Sequence, residues 1–110
     1  MLTVYRVEHK DGRGPYHQDF DDPHKGYIAL ERTPAPWEDG IPYFPAYYRF
    51  GFKSLDQLYD WFIEEERERL KRKGFLIRLF KVKSHLVIKG RKQLVFDRDA
   101  SICIGELPIH

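Results

Sequence analysis

The sequence predicts an α+β domain: one main helix, about 54–74, packed on a mostly antiparallel sheet, with a long aromatic and Pro-rich loop region. Three observations predict it. β-forming segments stand at both ends of the chain, one capped stretch carries helical spacing, and six of the seven prolines fall between Pro15 and Pro45. At 110 residues the chain makes a single domain, 1–110.

The first element is Thr3-Val4-Tyr5-Arg6-Val7-Glu8. It alternates as a strand, with Val4, Arg6 and Glu8 on one face and Tyr5 and Val7 on the other. An arginine in mid-strand has two readings, the solvated face of an edge strand or a side chain held in a cleft. Asp11-Gly12 and Gly14-Pro15 then signal turns. The prolines that follow forbid a long helix and limit central pairing, leaving room for a short strand at 26–30. Aromatic residues from Trp37 to Phe52 make this region a packed lid or a recognition surface rather than a linker.

The helix is the best-marked element. Ser54 and Gln57 have capping-box spacing, in which the serine hydroxyl accepts an amide and the glutamine returns to the N-cap amide. Leu55, Leu58, Tyr59, Phe62 and Leu70 recur at helical spacing, and Gly74 supplies a left-handed stop. Strands follow at 75–82, at 85–88 paired as a hairpin with 93–96, and at 102–107. Cys103 lies in the apolar run Ile102-Cys103-Ile104, which predicts a small buried hydrophobe. As the single cysteine it excludes an internal disulfide.

Charge is polarised. Residues 67–92 hold eleven Lys/Arg against one acid, Glu68, so this stretch is +10 and the rest of the chain −8. On the helix those charges complement the dipole. On the strands, Arg78, Lys81, Lys83, Lys89, Arg91 and Lys92 form a candidate partner-binding face if they share one side. The partner they fit is an acidic protein or a nucleic-acid surface. No phosphate-binding glycine loop, nucleophilic triad or metal-ligand spacing is present, so no metal is expected and catalysis is left open. The opening residues lack a signal peptide's pattern, and no apolar run approaches the roughly 20 residues of a membrane span. The expectation is a soluble, cytoplasmic protein without a membrane partner.

Three segments together resemble the ADP-ribosyltransferase superfamily. Tyr5-Arg6 is similar to that family's opening strand, Phe50-Gly51-Phe52-Lys53-Ser54 to its second motif, and Gln93-Leu94-Val95-Phe96 to the strand that carries its catalytic glutamate. The resemblance implies NAD or a derivative as ligand. Arg6 would hold phosphate, Tyr16 or Tyr27 with Ser54 would shape the nicotinamide pocket, and Gln93 would touch ribose. Gln93 departs from the family's pattern: an amide supplies no charge to an oxocarbenium-like transition state, which implies a binder rather than a transferase. The short, aromatic style of the chain also resembles small phage-encoded proteins. The leading expectation is therefore a cofactor-free, non-catalytic phage accessory or anti-defence module acting through its basic face. The alternative is an ADP-ribosyltransferase-like domain that binds NAD or a derivative, either a transferase or a catalytically degenerate relative.

Overall fold

The structure is a computed structural model and describes residues 1–24 and 32–110. The expected strand at 26–30, with Tyr27, lies outside the described residues. Two three-stranded antiparallel sheets form the frame. The first pairs β1 (Leu2–His9), β3 (Phe75–Val82) and β6 (Ile102–Leu107), with β3 central. The second pairs β2 (Arg49–Gly51), β5 (Leu94–Phe96) and β4 (Val87–Lys89), with β5 central. Among the described residues, one isolated bridge joins the sheets: Tyr5 and Phe52 exchange backbone hydrogen bonds of 2.8 and 2.7 Å.

The helical span divides into α1 (Leu55–Trp61) and α2 (Glu64–Arg72). Phe62 and Ile63 are extended between them. The Glu66 carboxylate accepts the Ile63 amide at 2.9 Å, so an acid that reads as helix surface instead caps a second helix start. At the first start, the Ser54 hydroxyl accepts the Gln57 amide (3.1 Å), while the Gln57 side chain returns to the Lys53 amide (3.0 Å), one residue before the N-cap. Gly74, at φ +89°, ends α2 in the left-handed region as its composition predicts.

Phe52, Leu58, Phe62, Ile77 and Ile109 form one fully buried cluster between the helices and the first sheet. Val4, Phe80, Val82, Leu94 and Phe96 form a second, between the two sheets. At roughly 2 kcal/mol per buried large side chain, these clusters are the main favourable term holding the sheets together. Cys103 is exposed rather than buried. No residue of β6 is buried: β6 pairs with β3 at one edge of the sheet, whereas β1 at the other edge is covered by the helices and the second sheet, so the apolar run of β6 does not reach the core. Among the described residues, no helix is long and apolar enough to cross a membrane.

Candidate functional site

Between the sheets, the loop 11–17 and the aromatic segment lies a cleft of about 680 Å³. Four guanidinium groups reach it, from Arg6, Arg13, Arg49 and Arg98. Rings of Tyr16, Phe44, Tyr48, Phe50 and Trp61 line the same walls.

The floor is built from the β1–β3 register, which sets Arg6 opposite Arg78 and leaves Glu8 beside both. Glu8 is fully buried and serves three arginines. Its Oε2 accepts Arg6 Nε (2.8 Å) and Arg98 Nε (3.0 Å); its Oε1 accepts Arg78 Nη1 (2.7 Å) and Arg98 Nη2 (2.8 Å). One carboxylate is shared by three guanidiniums; Glu106 stands 3.9 Å from Arg78 as a second acid, and Arg6 and Arg98 line the cleft together with Asp11 and Asp99. Burial alone would raise the Glu8 carboxyl, but hydrogen bonds from Arg98 and Arg78 and the Arg6 charge hold it below the ordinary glutamate value. Burial lowers Arg6 to about 10, which leaves it protonated at neutral pH.

Arg6 also donates to the Phe50 carbonyl (2.8 Å), which fixes its direction. The loop closes over it at Gly14, where a Cβ would sit 2.7 Å from Arg6 Nη2; glycine is what permits that approach. At the rim, Arg13 is tied to Asp11, whose carboxyl the hydrogen bonds from Arg13 hold far below its ordinary value. Arg49 donates to the carbonyls of Tyr47 and Tyr48 (3.2 and 3.3 Å).

One wall holds a chain of polar groups that local patterns do not foretell. Trp61 Nε1 donates to the Tyr16 hydroxyl (2.7 Å), which is hydrogen-bonded in turn to His24 Nε2. His24 Nδ1 meets Glu66 Oε2 at 2.6 Å, and Arg32 donates to both Glu66 oxygens (3.0 and 3.2 Å). With Glu66 ionised, the network assigns the His24 proton to Nδ1, so Nε2 accepts from Tyr16. Burial pushes the Tyr16 phenol up, so it stays neutral. Glu66 is held below its ordinary value because hydrogen bonds from Arg32 and His24 and the Ile63 amide outweigh the effect of burial.

A family model described as "Bacteriophage T4 Y00F protein" matches residues 1–110. The chain belongs to that family. A protein of Enterobacteria phage T4, described as an "Uncharacterized 19.7 kDa protein in motB-dexA intergenic region", is 36% identical over 72 residues. That match takes in 66% of this chain and 40% of the relative, so the chain spans about two fifths of the relative's length. No solved structure matches. The similarity to small phage proteins read from the sequence is thereby shown, and none of these matches is to an ADP-ribosyltransferase.

In this phage family member, Arg6, Tyr16 and Gln93 converge on the one cleft although they are far apart in sequence. Ser54 does not line it; its hydroxyl caps α1. Gln93 is buried and its Nε2 donates to the Pro34 carbonyl (2.9 Å). The basic stretch is dispersed. Arg78 turns to Glu8 on one face of the first sheet, while Lys81 bonds Thr3 Oγ1 (3.1 Å) on the opposite face. Lys83 precedes a 3-10 turn, Lys89 ends β4, and Arg91 and Lys92 lie in the β4–β5 connection; all four are exposed.

Proposed function

We propose that this member of the phage family is a non-catalytic accessory binding module whose ligand site is the arginine-lined cleft. Its ligand carries phosphate and a planar ring: a nucleotide or a derivative such as NAD. The observation that carries the reading is the meeting of four guanidiniums with a set of aromatic walls in one cleft. The guanidiniums of Arg6, Arg13, Arg49 and Arg98 would supply phosphate binding, and the rings stacking worth about 1–3 kcal/mol per base. Arg6, Tyr16 and Gln93 are the sequence-derived residues that would touch such a ligand. Gln93 can hydrogen-bond a sugar without stabilising a cation, which favours binding over glycosidic cleavage.

A second reading takes its support from the exposed Lys83, Lys89, Arg91 and Lys92. They would draw an acidic macromolecular surface to the β4–β5 side of the molecule. Charge reversal at Lys83, Lys89 and Arg91 would abolish that attraction and leave small-ligand binding in place.

Calorimetric titration with ADP, NAD⁺ and pyrophosphate tests the first reading. Both nucleotides should saturate, pyrophosphate should bind more weakly for lack of a ring, and Arg49→Ala should weaken nucleotide binding about tenfold. No heat at millimolar nucleotide would retire it.

A further inference from the structure

The chain of polar groups on the cleft wall fixes where its protons sit. Glu66 is fully buried and ionised, so its oxygens only accept: from Arg32, from the Ile63 amide and from His24 Nδ1. His24 Nδ1 therefore carries the imidazole proton, and Nε2 is left to accept from the Tyr16 hydroxyl. An indole N–H can only donate, so Trp61 Nε1 takes one lone pair of the same oxygen (2.7 Å). Tyr16 thus gives its one proton to His24, accepts from Trp61, and keeps one lone pair unused.

Tyr16 and Trp61 both line the cleft, and they meet at the hydroxyl and the indole nitrogen. Tyr16 keeps 43% of its surface exposed. A hydroxyl on a protein wall ordinarily rotates to suit a donor or an acceptor. This one cannot offer its proton to a ligand without breaking its bond to His24. Towards the cleft it is an acceptor only.

Gln93 adds a second acceptor. It lines the cleft at 4% exposure, and the Pro34 carbonyl, which can only accept, fixes the amide with Nε2 on that side (2.9 Å). Its Oε1 takes no hydrogen bond from a described residue. The guanidiniums of the cleft donate, as phosphate binding requires, whereas the capacity left at Tyr16 and Gln93 accepts. The two kinds of group are close: the Phe50 ring centroid is 5.5 Å from the Arg6 guanidinium and 5.1 Å from the Tyr16 ring. A phosphate at Arg6 and a base at Tyr16 are within the span of one nucleotide.

We propose that Tyr16 determines which base the cleft takes: its hydroxyl accepts from an exocyclic amine, and His24 and Glu66 are positioning residues that hold it in that polarity. Gln93 Oε1 accepts a second donor of the same ligand, a ribose hydroxyl or the other amine hydrogen. Adenine and cytosine share the required amine. Hypoxanthine and uracil put a carbonyl in its place, whose oxygen would meet the Tyr16 lone pair with no proton between them. The inference rests on the nucleotide reading of the cleft and narrows it to amino-bearing bases.

The test is calorimetric titration at neutral pH with two matched pairs, AMP against IMP and CMP against UMP, in which an amine is exchanged for an oxygen. In at least one pair the amine-bearing member should bind about tenfold tighter, and the pair that separates tells a purine site from a pyrimidine site. Tyr16→Phe keeps the ring and should pull that ratio to about one. His24→Ala frees the Tyr16 proton to donate, so the ratio should fall to one or invert towards the oxygen-bearing member. A histidine that merely held the loop in place would weaken both members alike and leave the ratio unmoved. Circular dichroism of each variant checks that the fold persists, and the comparison within each pair in the native protein needs no variant. Equal affinity within both pairs, or tighter binding of IMP and UMP, would overturn the inference and leave the cleft reading standing. Binding of none of the four, nor of ADP, would overturn both. A ratio that survives Tyr16→Phe would overturn the assignment to Tyr16.

Discussion

Two glutamates, Glu8 and Glu66, are each fully buried, and their surroundings make them opposites. Glu66 is matched by one arginine, one histidine and one backbone amide, so its site is close to balanced and works as a clasp between the loop at 13–24 and α2. Glu8 is shared by three arginines, of which Arg78 has Glu106 as a second acid at 3.9 Å while Arg6 and Arg98 line the cleft. A buried ion pair adds little net stability when balanced, because desolvation cancels most of the attraction. Sharing by several arginines beside a cleft, rather than burial, is what sets Glu8 apart from Glu66.

The sharpest way to break this contrast is to neutralise each acid in turn. Glu8→Gln leaves three guanidiniums around an amide and should cost about 3–5 kcal/mol, read as a fall in thermal midpoint. Glu66→Gln should cost less, about 2–3 kcal/mol, because its amide oxygen still caps Ile63 and Arg32 remains a quarter exposed. A larger loss at Glu66 would overturn the ranking.

Acid unfolding follows the same logic. Both carboxyls are depressed in the folded protein, so their contribution is full above the ordinary glutamate value of about 4.3 and declines as pH falls from there towards the folded values. Denaturant melts between pH 6 and 2 should show that decline in the native protein. Each Gln variant should show a flatter one. Tyr16→Phe removes a hydroxyl but no ring, stranding Trp61 Nε1 and His24 Nε2, and should cost about 1–2 kcal/mol by chemical denaturation. The smallest effect sharpens the Glu8 side alone: nucleotide affinity should be unmoved by Arg6 titration between pH 6 and 9 and should fall as pH passes about 10, where Arg6 loses its proton.

Much of this architecture was legible in the sequence, and the exceptions have physical reasons. The strands Phe75–Val82 and Ile102–Leu107 were readable to the residue, the first because Gly74 punctuates its start. Arg6 and Glu8 could be placed on one face by alternation. Their partners Arg78 and Arg98 could not, since they join Glu8 from 70 and 90 residues away and no local period reaches that far. The break at Phe62 and Ile63 was hidden because Glu66 has the same spacing whether it decorates a continuous helix or caps a new one. Whether the basic strand residues share a face could not be read, because a one-residue change of register flips the face; the β1–β3 register puts Arg78 and Lys81 on opposite sides. Cys103 misled because hydropathy reports side-chain preference, whereas edge position is decided by strand order.

The pairing of β1 with β3 also sets a timetable. Some 70 residues separate Glu8 from Arg78, so β1 must wait, unpaired, while the intervening segment is synthesised. Non-local pairings of this kind are entropically slow to close, and the cleft floor, which needs Arg98 as well, forms among the last features of the fold. During that interval Val4 and Val7 are exposed and Arg6 and Glu8 have only each other. A fragment that stops before Phe75 would therefore lack the site altogether, however well its helices form.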